Sequence, residues 1–307
     1  MGIKRKTRRL KEFFRKDIWT LELEELSKAR ARFVKYMKVM MITIKTFSSE
    51  KIGFQAVALS FFSTMSVVPF VAVVFAVTGG LGLADKLTQL LYEYFNNSQQ
   101  IIDTILGFAQ NIINTAQSSA MGLVSALLFV WIVIWMMMSV ERVFNNVWRV
   151  GKARNIFKRL SVILIMIIVS PLVVMVFFAG TIMYSHMFEY LGLDMEAFGP
   201  VKTILTWVLF AAIVTFTFSA MYKFIPNAVV KYGPALRAAI PAAIAFAVMN
   251  YLYLETQVLV TRLNAVYGAF AAVPLFMVWI NIGWFIILIG AELSYAFQHV
   301  DDYNIED

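Results

Sequence analysis

The chain is expected to be an all-α, polytopic membrane protein. It is read as six transmembrane helices, a basic amphipathic N-terminal segment and a helical extracytoplasmic insertion between spans one and two. Three observations predict this class. Apolar runs of about 18 or more residues recur along the chain, and each could cross a hydrocarbon core about 30 Å thick. The composition is 60% hydrophobic and only 15% charged, outside the range of soluble domains. The 27 Lys and Arg residues also fall almost wholly into alternate loops. Cysteine is absent, which removes disulfides, thiolate nucleophiles and Cys-based metal sites, and His186 with His299 cannot supply a histidine-rich centre.

Residues 1–51 form a basic cytoplasmic membrane-surface segment and hold 15 of the 27 basic residues. The apolar core that a signal peptide needs does not follow Lys4, Arg5, Lys6, Arg8 and Arg9. Phe33, Met37, Met40, Ile44 and Phe47 recur at helical spacing, with Lys35, Lys38 and Lys45 on other faces, as in a helix lying on an anionic leaflet. Nucleic-acid binding, the other reading of such a cluster, is set aside. The transmembrane domain covers 52–300, and 301–307 is an acidic cytoplasmic tail.

Span one runs over about 53–78, places Ser60, Ser63 and Thr64 on one face, contains Pro69 and ends at Gly79-Gly80. Small hydroxyl residues let helices approach closely, so this face is either a packing surface or part of a pathway lining. Two amphipathic helices are expected within about 84–117, on Leu87, Leu90, Leu91 and Tyr94 and on Ile101, Ile105, Ala109, Ile112, Ile113 and Ala116. Asn97 with Gln100 resembles a capping box. Span two (121–140) stops at Glu141-Arg142, and a basic loop leads to span three (161–184) with Ser170-Pro171. The runs Pro69 to Phe75 and Pro171 to Phe177 hint at a parallel repeat.

Spans four (203–222), five (236–259) and six (269–292) close the bundle. Tyr267-Gly268 is read as the break before span six, and Pro274 as lying near its start, where proline is tolerated. With the N-terminus inside, 24 basic residues face the cytoplasm, and only Lys86, Lys202 and Arg262 fall on the other side. Both termini are therefore expected to be cytoplasmic.

Polar groups within spans are costly and each needs a reason. On span five and just beyond it, Asn250, Tyr253, Gln257 and Asn264 share a face, and with Asn281 of span six they are candidate pathway-lining residues. Glu255 points nearly opposite, with Arg262 about two turns on, as a structural ion pair or part of a polar lining. Glu141 and Glu292 should reach the cytoplasmic boundary, where they lock helix ends or act as a gate. No arrangement of residues supports catalysis, a cofactor or a metal.

Together the Ser/Pro-bearing first span, Asn146-Val147-Trp148, Tyr222-Lys223-Phe224-Ile225-Pro226, Tyr267-Gly268 and Gly290-Ala291-Glu292 resemble the YihY/virulence factor BrkB family of bacterial inner-membrane proteins, over about Gln55 to Phe297. The basic N-terminal extension and Glu255 depart from that pattern. The resemblance implies six spans in the bacterial inner membrane and brings no catalytic residues. Members once carried the label ribonuclease BN, and some are linked to export or lipid transport. A ribonuclease would need metal ligands that are missing here. The expected function is a transporter, a flippase or exporter of a lipid or amphipathic anion. The alternative is a non-transporting scaffold or envelope-integrity protein. Membrane lipids, anionic at the cytoplasmic face, are the expected partners, nucleic acid is not one, and a homo-oligomer is left open.

Overall fold

A computed structural model describes residues 27–49, 51–94, 99–118, 120–151, 154–155, 157–165, 167–169, 172, 175, 199–262 and 265–301. Among these residues all regular structure is helical. The helices are α1 (Lys28–Ser49), α2 (Ile52–Gly80), α3 (Ala84–Tyr94), α4 (Gln99–Ser118), α5 (Ala120–Val147), α6 (Gly199–Phe224), α7 (Tyr232–Arg262) and α8 (Ala265–His299). Residues 157–165 and 167–169, between α5 and α6, are helical as well. Among the described residues five stretches are long and apolar enough to cross a membrane: Ile52–Gly80, Gly122–Val147, Trp207–Phe224, Tyr232–Tyr253 and Pro274–His299. Asn97, Ser170 and Pro171 lie outside the described residues.

Backbone chemistry sets the helix ends. At the end of α2, Gly82 adopts φ 70°, and the Leu83 amide donates to the Thr78 carbonyl at 2.7 Å. This left-handed turn lets outer amides cover the last helical carbonyls, and glycine enters it without a Cβ clash. The end of α5 makes the same turn with Arg149 at φ 50°, where the Val150 amide reaches the Asn145 carbonyl at 2.9 Å.

The helices form two groups. In one, α7 packs closely on both α6 and α8, and its buried face is almost all alanine: Ala235, Ala238, Ala239, Ala242 and Ala243. Such small side chains let neighbouring backbones approach. In the other, α2 packs on α5, and α3 and α4 cover the end of α2 through Leu87, Leu106 and Ala109 against Val74 and Phe75. The Tyr92 hydroxyl ties α3 to α4 by donating to Asp103 at 2.5 Å, and that bond to a carboxylate raises the phenol above its ordinary range. Helix α8 joins the groups by packing along α2.

Helix α1 docks on the last turns of α8, with Val39 and Ile42 against Ala296 and Val300 and Lys35 paired to Asp301 at 2.8 Å. At this end the start of α2, the ends of α5, α6 and α8 and the start of α7 share one apolar core. It is also where most of the described Lys and Arg residues gather.

Two turn assignments need correction. Tyr267-Gly268 does not break the chain, since α8 begins at Ala265 and runs through it. Pro274 therefore sits inside α8. A glycine inside a helix costs only about 1 kcal/mol, which packing can override.

Candidate functional site

The first cluster of polar residues joins α2 to α8. The Asn281 amide donates to Ser60 Oγ at 3.2 Å, and Ser60 in turn donates to the Val57 carbonyl at 2.7 Å. Closer to the basic end of α8, Trp284 Nε1 donates to Ser63 Oγ at 2.8 Å. Thr64 turns back to the Ser60 carbonyl, and Ser66 reaches both the Ser63 carbonyl and the Met136 sulfur of α5. Ser60, Ser63 and Asn281 thus come together, and the polar face of α2 serves as a hydrogen-bonded seam between helices. Trp284 and Ser66 are the members that sequence reading missed. Ser66 falls one turn beyond Ser63, so it was legible, whereas the indole partner depends on helix register. Replacing Ser63 with alanine leaves the buried indole N–H without its acceptor. We expect a loss of about 1 kcal/mol, measured by unfolding in detergent and absent in a Trp284→Phe background.

The second cluster closes the basic end. Glu141, buried at the end of α5, accepts from Arg159 Nε at 2.7 Å and lies 3.7 Å from Arg154 Nη1. The longer contact is an ion pair but not a hydrogen bond. Arg159 also donates to the Met138 carbonyl at 3.1 Å. Arg154 spends its donors on the turn after α6. It reaches the carbonyls of Phe224 and Ile225 at 3.2 Å, that of Pro226 at 3.0 Å and Asn227 Oδ1 at 3.3 Å. Carbonyls at a helix end carry partial negative charge, and the planar fork of an arginine suits several at once. The Asn227 amide donates to Asn145 Oδ1 at 2.7 Å, a further tie from α5 to the turn after α6.

The Tyr222-Lys223-Phe224-Ile225-Pro226 motif now has a physical account. Tyr222 is fully buried between the Phe144 and Phe218 rings, and its ring end lies against Gly290. A Cβ on Gly290 would overlap the Tyr222 hydroxyl and stand 2.7 Å from Tyr222 Cζ and 2.9 Å from Ala242 Cβ. Gly290 is thus required by a close approach. Lys223 folds back to the Val230 carbonyl at 3.0 Å, and Gln298 bonds the backbone at Val229 and Lys231, so the turn is held from both sides. Glu292 and Ala291, next to Gly290, are fully buried.

Span five is divided. Asn250 is half-buried on α7, and the Tyr253 ring lies 5.2 Å from that of Trp279. Glu255 accepts a hydrogen bond from Tyr251, one turn earlier. Its expected partner Arg262 has a side chain outside the described residues, as does Gln257, and Asn264 lies outside them altogether. Among the described residues no three His, Asp or Glu side chains gather in a way that could hold a metal ion.

Comparison with known proteins completes the picture. The family model described as virulence factor BrkB matches residues 43–307. The chain is similar to UPF0761 membrane protein NTHI0384 of Haemophilus influenzae (strain 86-028NP), with 25% identity over 84% of this chain and 94% of the relative. It is also similar to UPF0761 membrane protein Bxeno_A3061 of Paraburkholderia xenovorans (strain LB400), with 30% identity over 81% of this chain, and to a Janthinobacterium UPF0761 membrane protein with 28% identity. It spans only 57% of the length of each of these last two. No solved structure matches the chain. The chain is an integral membrane protein and belongs to the virulence factor BrkB family.

Proposed function

We propose that this protein is a transporter, a flippase or exporter that moves a lipid or an amphipathic anion across the bacterial inner membrane, with its basic end in the cytoplasm. The observation that carries this reading is the junction at that end. The α5 end and the turn after α6 are tied by Arg154, Glu141 and the Asn145–Asn227 bond, all of which water or an anionic group could replace. Polar contacts of this kind can break and reform during a cycle, alongside the apolar core that the ends of α5 and α6 share.

The same end supports a six-span topology. Phe144 packs on Tyr222, so the ends of α5 and α6 lie together, which favours one more crossing between them. Ile163 and Ile167 lie against Val133, and Met175 reaches the Val74 and Phe75 cluster at the far end of α2, as a crossing requires. The positive-inside bias then favours cytoplasmic termini.

The scaffold reading draws on a different observation: Ser60, Ser63 and Asn281 are engaged in contacts between helices. One variant separates the two. Asn250→Leu with Gln257→Leu should melt like the parent protein yet lose lipid scrambling or anion flux in proteoliposomes. Normal melting with undiminished flux would remove span five from the pathway. Absence of any flux from the parent protein itself would favour the scaffold.

A further inference from the structure

Helix α1 buries an unexpected face. Of its apolar stripe Phe33, Met37, Met40, Ile44 and Phe47, Phe47 turns inward and Met37 is half-buried, while α8 receives Val39 and Ile42 from the neighbouring face, where Thr43 and Thr46 are buried too. Ile42 is 0% exposed and Val39 1%, whereas Phe33 remains 66%, Ile44 65% and Met40 51% exposed. The helix is held in this rotation. Lys35 pairs with Asp301, Tyr36 meets Phe297 edge-on, Phe47 packs on Phe285, and Arg149 reaches Thr46 Oγ1 at 3.5 Å. An amphipathic helix that turns its more polar side to the protein and its apolar side outward needs a second apolar phase.

We propose that this outer stripe is a lipid-binding surface, seated in the anionic leaflet at the basic end, so that α1 lies in the headgroup layer while docked on α8. Two further observations select lipid as the occupant. The stripe adjoins surface that already faces the bilayer. Lys51, left-handed at φ 50°, stands directly before α2, whose first turns present Phe54, 77% exposed, then Val57 and Phe61. The flanks are cationic, with Lys28, Arg30 and Arg32 exposed at one end and Lys45 and Lys51 at the other. Apolar residues at acyl depth with basic residues at phosphate depth match an anionic leaflet. Such a surface would serve a transporter and a scaffold alike.

The lack of cysteine allows a direct test on the full chain. Phe33→Cys, Met40→Cys and Ile44→Cys would each carry one nitroxide in vesicles of phosphatidylethanolamine and phosphatidylglycerol, with Val57→Cys as a bilayer reference and Asn111→Cys as an aqueous one. Collision with oxygen should exceed collision with a nickel chelate several-fold at 33, 40 and 44, as at 57, with the reverse at 111. Replacing phosphatidylglycerol by phosphatidylcholine should lower the ratio at 33, and an unchanged ratio would overturn the anionic assignment. Nickel access equal to or above oxygen access at all three positions would overturn the proposal. So would low access to both reagents, which would mean a second copy of the chain if the Met40→Cys protein cross-links to itself and a covering segment of the same chain if it does not.

Discussion

Replacing Glu141 with alanine should cost about 3–5 kcal/mol of stability, the range for breaking a buried ion pair by removing one partner. Its side chain is 7% exposed, and those of Arg159 and Arg154 beside it are only 22% and 11% exposed. Arg159 would keep only the Met138 carbonyl, while Arg154 would keep its contacts to the turn after α6. The larger share of the loss should therefore come from Arg159. A double variant with Arg159→Met should lose less than the sum of the single variants, since the stranded charge leaves with its partner. Chemical unfolding in mild detergent would read both. Additive losses would show that the pair does not act as a unit.

Gly290→Ala should be the other severe change. Alanine improves helix propensity by about 1 kcal/mol, but overpacking typically costs about 1–3 kcal/mol and occasionally more. Here the new methyl would meet the Tyr222 ring end and Ala242 Cβ at under 3.0 Å, and Ala242 Cβ cannot swing aside. The overlap outweighs the propensity, leaving a net loss of about 2 kcal/mol. Tyr222→Phe in the same chain should return part of the loss by removing the hydroxyl, though Cζ and Ala242 remain in the way. Melting temperature across the three proteins decides it, and a Gly290→Ala protein that melts at or above the parent temperature would refute the close-packing account.

The helices were legible because a bilayer imposes a length and an apolar composition that few other folds share. Interior polarity was legible for a related reason: Ser60, Ser63, Asn281 and Glu141 stand out against an apolar background. Their partners were not. Periodicity assigns a residue to a face, but which neighbour covers that face depends on helix order and register, so Trp284 as the partner of Ser63 could not be read. Helix α1 makes the same point, since Val39 and Ile42 dock while Phe33, Met40 and Ile44 stay outside. Tyr267-Gly268 misled because a glycine inside a helix costs only about 1 kcal/mol and does not by itself end one. Arg149 carries no sequence signal of its left-handed turn, because glycine is the usual residue there.

The central claim is that the junction between the α5 end and the turn after α6 opens during transport. Asn145→Cys with Asn227→Cys would place two thiols across it in a chain that otherwise has none. Reconstituted with fluorescent phosphatidylglycerol, the parent protein should move lipid between leaflets faster than protein-free vesicles, as read by dithionite quenching. A short, reducible cross-linker across the two thiols should stop that movement, and reductant should restore it. Lipid movement that continues unchanged with the junction cross-linked, or a parent protein no faster than protein-free vesicles, would contradict the account.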